Sequence, residues 1–138
     1  MKKSIFLLII LACVMSAQAV EYFRYTNAEG VELRYRIINA KEVAVAPDDN
    51  PSYWDSTVVN YPNILCDSIR IPDTVEYNGN SYMVTGIDNN SFACVKNVKK
   101  VILPKTIRSA PSLAFNYNSG IEEIIVDEEN PYYTTVNG

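Results

Sequence analysis

Apolar residues return at a fixed distance along the second half of the chain. Phe92 recurs as Phe115, Val98 as Ile121, Val101 as Ile124 and Leu103 as Val126, each 23 residues later. A period of this size marks a stacked solenoid, because one such unit cannot bury its apolar face alone and needs neighbours above and below. Each unit supplies a short strand, Val101-Ile102-Leu103 and then Ile124-Ile125-Val126. Pro104 lacks an amide hydrogen and ends the first of these strands. Asp88-Asn89-Asn90 predicts a tight bend before Phe92, and Thr106-Ile107 predicts a second, shorter strand on another side of the coil.

An earlier, divergent unit precedes these two. With Pro72 set on Pro104, an offset of 32, Cys66 falls on Val98, Ile69 on Val101, Ile71 on Leu103 and Val75 on Ile107. The nine extra residues predict an inserted hairpin at about residues 75–84. Val75-Glu76-Tyr77 and Ser81-Tyr82-Met83-Val84 are its strands. Asn78-Gly79 is its turn, since both residues tolerate positive φ.

Upstream the period changes to two. Val31, Leu33, Tyr35 and Ile37 alternate with Glu32, Arg34 and Arg36, which predicts a strand with one buried and one wet face. Tyr22–Tyr25 can pair with it by reversing through residues 26–30, and Lys41–Ala46 offers a third strand. The expected architecture is mainly β: about three coils of period 23 over residues 64–138, covered by a β-rich cap and loop at 20–63.

Stacking also predicts the surface. The two offsets set Asp67, Lys99 and Glu122 side by side as a ladder of alternating charge, with Lys100 beside Glu123. If the first and third apolar residues of each strand point inward, the middle position forms an outward row of Arg70, Ile102 and Ile125. With Lys100 and Glu123 that row is the candidate binding face. The alternative is that isoleucine there merely suits a β surface.

Residues 47–63 read as a loop. Asp48, Asp49 and Asp55 lack calcium-loop spacing and read as solvated acids. Tyr53, Trp54 and Tyr61 are either a contact patch or a small satellite core.

The chain opens with Lys2-Lys3, an apolar run over Ser4–Met15 and Ala17-Gln18-Ala19, the pattern of a secretory signal peptide over 1–19 cleaved after Ala19. Ile10-Leu11-Ala12-Cys13 offers a second route, lipidation at Cys13, which would bring in a membrane. Loss of Lys2 and Lys3 leaves 10 basic and 16 acidic residues, net −6. That balance disfavours a nucleic-acid partner. Cys66 and Cys94 remain. Secretion permits a disulfide between them, but the alignment places both at small apolar core positions.

No catalytic constellation emerges. The chain has no histidine, which removes the commonest general base and metal ligand. Neither a Cys-His pair nor a phosphate-binding glycine loop is present. Glu122-Glu123 and Asp127-Glu128-Glu129 are consecutive acids, which a ladder or a solvated turn explains more simply than a glycosidase pair across a cleft. No catalytic residue, metal ligand or cofactor is expected.

The run Val84-Thr85-Gly86-Ile87, Ser91-Phe92-Ala93-Cys94, then Val98 to Ile107 resembles the BspA-like subclass of bacterial leucine-rich repeats. Residues Ile125 to Tyr133 look like a further segment of that family. The third unit departs from it, with Ala110-Pro111 for Ile-Gly and Asn116-Tyr117 near the place of Cys94. The resemblance implies a short right-handed leucine-rich-repeat solenoid, secreted or on the cell surface. It also implies a non-catalytic, adhesin-like role toward a protein ligand such as a host extracellular protein. The chain stops at Asn137-Gly138, where such repeats usually continue. A fragment of a longer protein, or self-association through an uncapped last coil, would each account for that.

Overall fold

The computed structural model describes residues 19–49, 60–118 and 120–136. Its strands are β1 (Tyr22–Thr26), β2 (Glu32–Asn39), β3 (Glu42–Ala46), β4 (Ser68–Arg70), β5 (Thr74–Tyr77), β6 (Asn80–Ile87), β7 (Lys100–Leu103) and β8 (Glu123–Val126). A short 3-10 turn spans Ser112–Phe115. Residues 1–18 of the expected signal peptide, together with Tyr53, Trp54 and Asp55, lie outside the described residues.

The strands form two sheets, ordered β1-β2-β3-β6-β5 and β4-β7-β8. In the first, β1, β2 and β3 run as an antiparallel meander, and β5 and β6 form an antiparallel hairpin. The alternation in β2 decides its faces, burying Val31, Leu33 and Tyr35. Gly30, at φ 80°, closes the first hairpin, and Asn78 (φ 49°) with Gly79 (φ 76°) closes the second. Two successive positive φ values match the right-handed twist of the paired strands.

This sheet curls until its outer strands meet. Phe23 of β1 stacks on Tyr77 of β5, with ring centroids 4.4 Å apart and planes 9° from parallel. Tyr35 and Tyr82 complete the aromatic cluster. The sheet also runs through the expected boundary at 63/64, because β3 pairs in parallel with β6.

From β4 onward the chain coils, and successive coils touch on three sides. On one side β4, β7 and β8 are parallel, with Ile69, Val101 and Ile124 in register. On a second side Gly86 bridges Ser109 in parallel, continuing the β3–β6 pairing. On the third, the Asn90 and Phe92 amides donate to the Leu113 and Ala114 carbonyls (2.9 and 2.8 Å). Inside, Ile69, Ile71, Phe92, Val98, Val101, Leu103, Ile107 and Ala114 are buried.

Asparagine side chains join successive coils. Asn97 donates to the Ile64 carbonyl (3.1 Å) and Asn118 to the Phe92 carbonyl (2.7 Å). Asn130 is buried and fully engaged. Its Nδ2 donates to Pro104 and Ile107, and its Oδ1 accepts the amides of Tyr132 and Tyr133, all at 2.7–3.0 Å. Such bonds satisfy backbone groups where the chain turns and no ladder can. Cys94 (φ 56°) and Tyr117 (φ 53°), again 23 residues apart, repeat one left-handed turn.

Several expectations need correction. Cys66 is exposed, not core. The chain turns at Tyr61–Ile64, where the Ile64 amide donates to the Tyr61 carbonyl, so that Ile64 is buried and Leu65 and Cys66 face out. Cys94 is half-buried, and both cysteines are free thiols. The second-side bridge falls at Ser109 instead of Thr106-Ile107, because the Ile107 amide closes a turn onto the Pro104 carbonyl. Asp48 and Asp49 are not merely solvated. Arg24 contacts both carboxylates, and Arg34 Nε lies 2.9 Å from Asp49 Oδ1. Tyr61 belongs to the main core, its hydroxyl donating to the Ala46 carbonyl and accepting the Arg34 amide.

Candidate functional site

The three-stranded sheet presents its outer surface through two rows. Ser68, Lys100 and Glu123 form one, and Arg70, Ile102 and Ile125 the next, each aligned across the three strands. Between them Ile69 and Val101 turn inward and are fully buried. Ile124 occupies the same inward position but is 36% exposed, because no further strand pairs with β8 among the described residues. Parallel strands lie about 4.8 Å apart, so each row spans roughly 10 Å.

Lys99 and Lys100 both face outward, which simple alternation forbids. The backbone supplies the reason. Both of their amides donate to the Asp67 carbonyl (2.8 and 3.0 Å), and those of Glu122 and Glu123 both donate to the Lys99 carbonyl (2.7 and 3.0 Å). A shared acceptor kinks the strand start as a bulge does. Two charge pairs result: Lys99 Nζ to Glu122 Oε1 at 3.3 Å and Lys100 Nζ to Glu123 Oε2 at 3.0 Å. All four side chains are well exposed. Asp67 stands beside Lys99 but meets it through its backbone carbonyl; among the described residues its carboxylate makes no salt bridge.

Arg70 is held from the side. Its Nε lies 3.3 Å from Glu29 Oε1, and its carbonyl accepts a hydrogen bond from Asn27 Nδ2 at 3.0 Å. Asn27 Oδ1 in turn accepts the amides of Glu29 and Val31. The β1–β2 turn thus docks on the first coil and orients the first residue of the outward row.

Past this row the surface dips into an open groove of about 520 Å³. Its wall includes Arg70, Ile102 and Ile125, with Asp73, Asp127, Glu128 and Glu129 at the strand ends. Lys105 Nζ pairs with Glu129 Oε2 at 2.8 Å. That hydrogen bond, with the added fields of Glu129, Asp73 and Asp127, raises the Lys105 pKa above the ordinary lysine value. Among the described residues Asp73, Asp127 and Glu128 form no salt bridge. Sequence reasoning treats Asp127-Glu128-Glu129 only as consecutive acids and leaves Asp73 out, although the signal that joins them is present. The same offsets of 32 and 23 that align the strands place Asp73, Lys105 and Glu128 at one repeat position.

No protein-family model and no curated protein sequence matches the chain. Solved structures do. A leucine-rich cell surface protein from Faecalibacterium prausnitzii A2-165 aligns with 81% of this chain and 25% of its own, at 19% identity and a TM-score of 0.54. A leucine-rich repeat protein from Bacteroides capillosus aligns with 69% of this chain and 61% of its own, at 21% identity and a TM-score of 0.50. The chain therefore spans about a quarter of the first protein's length and under two thirds of the second's. At these identities the likeness concerns the fold. Mainly β, coiled, and stacked through parallel strands in register, this chain shares the fold of these leucine-rich-repeat proteins.

Proposed function

We propose that the chain is a non-catalytic protein-binding module, secreted or displayed on the cell surface, that engages its partner through the outer face of β4, β7 and β8. The supporting observation is the aligned row Arg70, Ile102 and Ile125 beside an open groove, with Lys100 and Glu123 along its other side. Two adjacent isoleucines on the outer face of a sheet offer an apolar strip to a partner. In this reading about three coils present the face, and the β1–β3 meander caps the stack and braces Arg70. The leader at 1–19 exports the chain, and the partner is a protein, adhesin-fashion a host extracellular one. A similar fold in a protein described as a cell surface protein supports the location.

The test is surface plasmon resonance of the purified mature chain over a panel of immobilised extracellular-matrix proteins, beside Ile102→Ser/Ile125→Ser. Binding by the parent that the double variant loses supports the face. Binding that the double variant retains, or no binding across the panel, argues against it.

A second reading, self-association through the last coil, draws on Ile124 and on Tyr132, which is 61% exposed nearby. Light scattering across a concentration series decides it. A mass that stays at one chain throughout removes this reading.

A further inference from the structure

The groove also carries information about the partner's chemistry. We infer that it receives an extended segment in which apolar residues alternate with lysine or arginine; this rests on the protein-binding reading above and narrows it. The apolar part of the argument is the wall of Ile102 and Ile125, both only half-buried in the folded chain.

The charged part is the imbalance around them. Four carboxylates, Asp73, Asp127, Glu128 and Glu129, border the groove. The nearby cations are already committed, Lys105 to Glu129 and Arg70 to Glu29. Asp73, Asp127 and Glu128 form no salt bridge among the described residues, and Lys105, whose charge also interacts with Asp73 and Asp127, is one cation against four carboxylates. A partner that brings cations removes their mutual repulsion, whereas an acidic partner adds to it. An acidic or phosphate-bearing surface is disfavoured on the same ground.

Position makes the two parts one site. Asp73 follows β4, Lys105 follows β7 and Asp127 follows β8, so the acids line the same ends of the strands whose middles carry the isoleucines. An extended segment with alternating side chains places its two faces differently. Its apolar side chains lie on Ile102 and Ile125 while its cations reach the border.

Fluorescence anisotropy with three labelled synthetic peptides of equal length tests this on the full mature chain. One alternates Lys and Leu, one Glu and Leu, and one Lys and Ser. The Lys-Leu peptide is expected to bind at least tenfold tighter than either other. Exposed ion pairs are individually weak, so Asp73→Asn/Asp127→Asn/Glu128→Gln together should weaken it about tenfold. Glu76→Gln/Glu32→Gln, away from the groove, should leave it unchanged. These positions are exposed, and circular dichroism reports whether each variant is folded.

Equal binding of Lys-Leu and Glu-Leu peptides, or equal binding by the triple variant and the parent, overturns the charge selection. Lys-Ser binding as tightly as Lys-Leu overturns the apolar half of the segment instead. If Ile102→Ser/Ile125→Ser still abolishes binding when the charge selection fails, the face stands and only the basic partner falls. If that variant binds like the parent, both fall.

Discussion

The rings of Phe92 and Phe115 lie 5.4 Å apart and 9° from parallel, one above the other in adjacent coils. Phe92 is fully buried, and Phe115 is only half-buried. Removing a buried Phe side chain costs about 3–5 kcal/mol through lost burial and the cavity left behind. Phe92→Ala should fall in that range, and Phe115→Ala should cost clearly less. Urea denaturation measures both; equal losses would show that the second ring is as enclosed as the first.

Asn130 satisfies four backbone groups with one side chain. Asn130→Ala leaves the Pro104 and Ile107 carbonyls without that donor. A buried unsatisfied polar group costs about 1–3 kcal/mol, so a loss of about 2–3 kcal/mol is expected. Amide hydrogen exchange should show fastest opening at Tyr132 and Tyr133. Unchanged protection there would mean that other contacts hold the last turn.

The Lys100–Glu123 pair joins two exposed side chains at 3.0 Å. Exposed pairs contribute only about 0.2–1 kcal/mol. Lys100→Glu should be destabilising by a similar amount, and adding Glu123→Lys should restore stability. A double-mutant cycle with no coupling would reduce the pair to a surface coincidence.

Acid should weaken the fold through two carboxylates. The Arg108 guanidinium, then Asn39, holds Glu42 below the usual carboxylate pKa, and Arg24, then the field of Arg34, does the same for Asp49. A pKa depressed in the folded state gives stability that is present above the unfolded carboxylate value. It is lost as pH falls through the folded one. Denaturation midpoints measured from pH 7 down to pH 3 should therefore drop, and more gently in Asp49→Asn and Glu42→Gln. Parallel curves for parent and variants would remove these ion pairs from the acid response.

Cys66 is exposed and Cys94 half-buried, both as free thiols. A thiol reagent should modify Cys66 rapidly in the native protein and Cys94 more slowly. Protein spanning residues 20–138, purified without reductant, that yields no titratable thiol would instead point to a bridge.

The repeat was readable because every apolar position in it answers to one constraint. Residues 23 apart must stack, so Val101 with Ile124 and Leu103 with Val126 appear as pairs in the sequence and as register partners in the sheet. The Asn78-Gly79 turn was readable for a local reason, since few residue pairs accept two positive φ values. The candidate face was legible only in part. Alternation supplied Arg70, Ile102 and Ile125, but the bracing of Arg70 by Glu29 joins residues 41 apart with no shared pattern.

Periodicity and turn chemistry are properties of neighbouring or regularly spaced residues, so the amino-acid sequence alone determined the coils, their register and the hairpins. Contacts between non-repeating parts were left to the tertiary structure. It decided that the first sheet curls to stack Phe23 on Tyr77. It also decided that Asp48 and Asp49 hold Arg24, that Cys66 faces solvent, and that Asp73, Asp127 and Glu128 border one groove. Charge and burial depend on what the folded chain brings near each side chain, and no local pattern encodes that.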